Sequence, residues 1–105
     1  MEFVETPIFT KRIKQLISDK DYHLLQLELT IRPESGDLIK QSGGIRKKRW
    51  AASGRGKSGG IRVIYYYIDS SNQIYMLFAY PKNEADDLSP DQIKQLRHLV
   101  QEYLK

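Results

Sequence analysis

Residues 61–80 read IRVIYYYIDSSNQIYMLFAY. Two runs rich in Ile, Val, Tyr and Phe, 61–69 and 73–80, are divided by Asp69-Ser70-Ser71-Asn72, whose short polar side chains suit a turn. Upstream, residues 45–51 (IRKKRWA) have the same strand-forming character and are joined to the pair by SGRGKSGG, a string of turn formers. The reading is a meander of successive antiparallel strands.

Working outward, residues 2–5 suit a short opening strand. Thr6 is placed to cap a helix with Pro7 at its first position, and Phe9, Ile13, Leu16 and Ile17 recur at helical spacing. A second helix is expected to start after Asp19 or Asp21 and to bury Leu25 and Leu29 with Tyr22 or Leu24. It should stop near Ile31, because Arg32 precedes Pro33 and is biased away from helical geometry. The last helix has the clearest start: Ser89 as N-cap, Pro90 next, and Gln92 completing a capping box. Ile93, Leu96, Val100 and Tyr103 then form its apolar face. The predicted fold class is α+β, a small, mostly antiparallel sheet with two N-terminal helices and one C-terminal helix, the helices packed on one face of the sheet. A length of 105 residues, without repeats or linkers, fits one domain spanning 1–105.

Charge is distributed unevenly. Lys40 to Arg62 holds eight basic residues and no acidic one, a net +8, while the remainder nets −4. All seven glycines lie in or just before this segment. Such a field attracts polyanions, because neutralising each phosphate releases condensed counterions. The acidic N-terminus is unlike a signal peptide and no apolar run is long enough to span a membrane, so a soluble cytoplasmic protein is expected.

Several chemistries fail on residue type. With no cysteine there is no thiol nucleophile and no Cys-ligated metal. GRGKSGG is not a P-loop: Ala51 stands where the first glycine is needed, and a strand, not a helix, follows. His23 and His98 fall on predicted helices away from the basic segment, and the Glu84, Asp86, Asp87 cluster is accounted for by the favourable field at a helix N-terminus. No metal site and no cofactor is expected.

Lysine and arginine suffice for RNA, whose 2′-oxygen supplies the nucleophile. The protein need only align the attack, stabilise charge on phosphorus and protonate the leaving 5′-oxygen. Strand alternation puts Lys47 and Arg49 on one face, and Arg46, Lys48 and Trp50 on the other. Arg62 opens the next strand, across the hairpin from Lys47 and Arg49, and Lys82 follows the third. These four are the candidate catalytic residues; Arg46, Lys48, Arg55 and Lys57 are candidate RNA or ribosome contacts. Tyr80, beside Lys82, is the aromatic best placed to stack on a base, against a packing role in the core.

The strings IRKKRW, GRGKSGGIRVIYYY and IYMLFAYPKNEADDLS resemble the HigB-type branch of the RelE/ParE toxin superfamily, the toxins of type II toxin–antitoxin systems. The resemblance implies a RelE-like fold, metal-independent and ribosome-dependent cleavage of messenger RNA in the ribosomal A site, and inhibition by a cognate antitoxin, often of helix-turn-helix type. By position, Lys47 and Arg49 match the two basic strand residues of RelE-like nucleases, Arg62 matches the arginine of the G-x-R-[VL]-x-Y strand, and Lys82, after the third strand, lies where the post-strand basic residue is found. The chain departs from RelE in having Asp86-Asp87-Leu88-Ser89 where RelE carries a tyrosine, and Asn83 where RelE carries an arginine. Lys47, Lys82 and a group of the ribosome stand as alternatives for the general base. Two other functions compete: a ParE-like gyrase inhibitor, and a basic RNA- or ribosome-binding module without chemistry.

Overall fold

In the computed structural model, which describes residues 1–51, 60–85 and 87–104, the expected order of elements is observed with one strand added. It runs β1 (Glu2–Glu5), α1 (Pro7–Leu16), α2 (Asp19–Ile31), β2 (Asp37–Leu38), β3 (Arg46–Trp50), β4 (Ile61–Ile68), β5 (Gln73–Pro81) and α3 (Pro90–Tyr103). The sheet order is β1-β5-β4-β3-β2, antiparallel except where β1 pairs parallel with β5. The unanticipated strand, β2, has two residues and exists only through its pairing with Arg46 and Lys47.

Helix starts follow local chemistry. The Thr6 hydroxyl accepts the Phe9 N–H at 3.1 Å and donates to the Leu77 carbonyl at 2.8 Å, so the α1 cap is also a tie to the sheet. In α2 the cap is Ser18, accepting from the Asp21 N–H, and the helix begins at Asp19. Tyr22, not Leu24, joins Leu25 and Leu29 in the core; its hydroxyl donates to Glu5, and Leu24 is exposed. Ser89 and Gln92 form the reciprocal capping box at the start of α3.

The helices do not share one face of the sheet. Phe9 and Ile13 of α1 and Leu25 and Leu29 of α2 pack with Ile61, Val63, Tyr65, Ile74 and Met76. Val100, Leu96, Leu99 and Tyr103 of α3 pack on the opposite face with Ile45, Ile64, Leu77 and Tyr80. The correction has a physical cause: both faces of β4 and β5 are apolar, so each needs a cover. A register shift between Ile64 and Tyr65, where β4 meets β5, keeps Leu77 in the second core, and Tyr75 stacks on Tyr103 with ring centroids 4.6 Å apart.

Tyr65 ties the α2–β2 connection to the sheet. Its buried hydroxyl accepts the Gly36 N–H at 2.9 Å and donates to the Pro33 carbonyl at 2.8 Å. A side chain at Gly36 would meet this ring at 2.8 Å, so glycine is required by the close approach. Tyr65→Phe strands two backbone groups and is expected to cost about 1–3 kcal/mol in urea unfolding; an unchanged midpoint would show that the connection is not held from the sheet.

Candidate active site

Strand register assembles the basic residues. Arg49 lies opposite Arg62, which lies opposite Tyr80; two residues back, Lys47 lies opposite Ile64. Alternation therefore holds through β3: Lys47, Arg49 and Arg62 are on the α3 side of the sheet. Because β2 spans only Asp37 and Leu38, the end of β3 has no strand partner on that side among the described residues, and Arg49 is exposed there.

A cavity of about 300 Å³ is lined by Arg49, Trp50, Ala51, Gly60, Arg62 and Lys82. Arg62 is 8% exposed, and its guanidinium donates to the neighbouring Ile61 carbonyl at 3.3 Å. A cation so buried is already stripped of water, the condition under which it best stabilises developing negative charge. Lys82 is exposed at the rim; its N–H donates to the Gly60 carbonyl at 3.0 Å, closing the end of the β4–β5 pair. Arg12 braces the same corner from α1, donating to the Ala79 carbonyl and to Glu84, both at 2.7 Å. Three of the four candidate catalytic residues thus converge on one cavity.

The fourth, Lys47, lines an adjoining cleft of about 350 Å³ and is paired with Asp87 at 2.5 Å. Lys47, first by this hydrogen bond and then by its charge, holds the Asp87 carboxyl below the usual carboxylate range, with smaller contributions from Arg49 and Arg62. Asp87, expected to answer to the field at a helix N-terminus, instead pairs with a lysine 40 residues away in sequence, a contact that only the folded chain makes. Its carboxylate stands where an anion bound to Lys47 would lie. Asp87→Asn is therefore expected to tighten binding of a single-stranded RNA oligonucleotide severalfold at neutral pH, read by fluorescence anisotropy; equal affinity would show that the carboxylate does not compete with phosphate.

Other candidates are placed differently. Arg46 and Lys48 face the α2 side. Arg46 donates to the carbonyls of Glu34 and Gly36 at 3.0 and 2.8 Å, and Lys48 donates to the Ser35 hydroxyl at 2.9 Å and lies 3.7 Å from Glu28. Both hold the α2–β2 connection down. Tyr80 is 1% exposed and packs in the α3-side core, so it is closed to a base; this corrects the stacking role, because its strand position points it beneath α3. Arg55, Lys57 and Asp86 lie outside the described residues. Among the described residues no cluster of His, Cys, Asp and Glu could hold a metal ion, and no helix is long and apolar enough to cross a membrane.

Comparison with known proteins gives the family and the fold. The family model described as the RelE toxin of the RelE / RelB toxin–antitoxin system matches residues 6–105. A solved structure of E. coli toxin RelE, a double arginine-to-alanine mutant in the free state, is similar with a TM-score of 0.57 at 13% identity, over 81% of this chain and 86% of that one. At that identity the likeness is one of fold.

Proposed function

Since the chain belongs to the RelE toxin family, the toxin partner of a toxin–antitoxin system, we propose that it is a HigB-type, ribosome-dependent endoribonuclease. It cleaves translated messenger RNA in the ribosomal A site, needs no metal, and works in the cytoplasm under restraint by a cognate antitoxin of helix-turn-helix type. The observation that carries this reading is the convergence of Arg49, Arg62 and Lys82 on one cavity, with Arg62 buried.

In the proposed reaction the scissile phosphate sits against Arg62 and Arg49. The 2′-oxygen forms a bond to phosphorus as it loses its proton; the bond from phosphorus to the 5′-oxygen breaks, leaving a 2′,3′-cyclic phosphate and a 5′-hydroxyl. The two guanidiniums stabilise the charge gained by the phosphoryl oxygens, planar forks being suited to paired oxygens. The Lys82 ammonium, at the rim, gives its proton to the departing 5′-oxygen. With Lys82 acting as the acid and Lys47 paired to Asp87, this reading gives the 2′-proton to a group of the ribosome. That division of labour is the physical reason for ribosome dependence. The antitoxin, by charge complementarity, covers this basic face with acidic side chains.

Primer extension on a defined message, with and without translating ribosomes, tests the reading. Cleavage within codons on translated message alone is the expected result. Cleavage of naked RNA would return the base to the protein, and arrest of growth without cleavage in either condition would turn attention to gyrase.

A further inference from the structure

The charge outside the 40–62 segment nets negative, yet α3 concentrates its cations on one side. Lys94, Arg97 and His98 line, with Lys40, Gln41 and Gln101, a cleft of about 410 Å³ between α3 and the turn after Ile39. No carboxylate is among its described lining residues. The turn that forms the far wall is rigid. Ser42 is buried, its hydroxyl donating to the Ile39 carbonyl at 2.6 Å and accepting the Ile45 N–H at 3.0 Å. Gly44 adopts φ +107°, and a Cβ there would lie 3.1 Å from the Tyr66 ring. This cleft shares Lys40 and Ile93 with the one that holds Lys47 and Asp87. Lys47 is in turn two residues, about 6.6 Å of extended strand, from Arg49. Cations therefore extend along the α3 side of the sheet from Lys82 through Arg62, Arg49 and Lys47 to Lys40, Lys94 and Arg97, interrupted at the Lys47 cleft by the carboxylates of Asp37 and Asp87.

We propose that the cleft between α3 and the turn at residues 40–44 is a second anion subsite, which holds the phosphate backbone of RNA running away from the cleavage cavity. The inference rests on the nuclease reading above and extends it: the cavity reacts, and the α3 cleft provides grip and register. An acidic protein segment would look for apolar anchors beside the charges, and the lining offers only Pro90 and Ile93. The phosphates belong either to the message flanking the cut codon or to ribosomal RNA, and binding measurements separate the two.

The test uses the full chain carrying Lys94→Glu and Arg97→Glu, both exposed helix positions. The control carries Lys11→Glu and Lys14→Glu, the same change of charge on exposed positions of α1, across the sheet. Affinity for a fluorescent single-stranded RNA oligonucleotide and for purified ribosomes is measured over a range of salt concentrations. Loss of two phosphate contacts lowers the slope of log K against log salt by about 1.4 on single-stranded RNA. A fall confined to the α3 variant on the oligonucleotide assigns the cleft to messenger; a fall confined to ribosomes assigns it to ribosomal RNA. Slopes equal to the control in both arms overturn the proposal. Lys94→Gln with Arg97→Gln, expected to lose the same contacts, serves if charge reversal prevents folding. Failure of the nuclease reading is seen separately: wild type that cuts nothing on ribosomes, while the α3 variant still loses slope, removes the reaction and keeps the subsite.

Discussion

Arg62→Ala is expected to lower cleavage of translated message by about 10²–10³-fold, the usual cost of removing one preorganised donor to a developing negative charge, while the chain stays folded. The two halves of that expectation have different origins. The loss follows from position: Arg62 is the buried cation of the cavity, opposite Arg49 and beside Lys82. The survival of the fold follows from its bonding, since the hydrogen bond its guanidinium makes among the described residues, to the adjacent Ile61 carbonyl, is long and local. Removing a buried charge also relieves a desolvation cost. Arg62→Lys is expected to recover only part of the rate, because an ammonium keeps the charge and loses the planar fork. Primer extension gives the rate and a thermal melt gives the fold. Growth arrest that persists with Arg62→Ala, in protein that melts normally, would count decisively against an arginine-centred nuclease.

Tyr80→Ala is expected to act by a different route, destabilising the chain by about 3–5 kcal/mol, as truncations of large buried aromatics do. Tyr80 is among the largest fully buried side chains, packed with Ile64, Leu77 and Val100, its ring centroid 5.9 Å from that of Phe78. A loss of that size is a large share of the stability of a domain this small, so toxicity should fall with the amount of folded protein. Urea unfolding distinguishes packing from base stacking. If Tyr80 stacked on RNA, the alanine variant would keep its unfolding midpoint and lose RNA affinity.

The two variants mark the boundary between what is local in this chain and what is not. Caps at Thr6 and Ser89, the stop before Pro33 and the strands around Ile61–Tyr80 are all readable from neighbouring residues, because each is dictated by hydrogen bonds and side-chain sterics within a few positions. The same holds for Lys47 and Arg49 sharing a face, since strand alternation needs no partner to be stated. Even the meeting of Arg62 with Arg49 follows once the strands are neighbours.

Alternation says that two faces exist and is silent on what covers each. The placing of α3 opposite α1 and α2 comes from long-range packing, and it alone decides that Tyr80 is core, that Arg62 is buried and that Arg46 and Lys48 clamp the end of α2. It also decides that Asp87 meets Lys47, 40 residues away in sequence, and that Lys94 and Arg97 lie on the same side of the sheet as the cations of β3. A count of charge along the chain hides such a grouping, because a helix sorts its residues by face and a sequence segment averages over them. Residue types and spacing were enough to dictate the elements and the chemistry they favour; which cations that chemistry can use was settled by packing, because burial and charge pairing depend on neighbours that the chain brings together only when it folds.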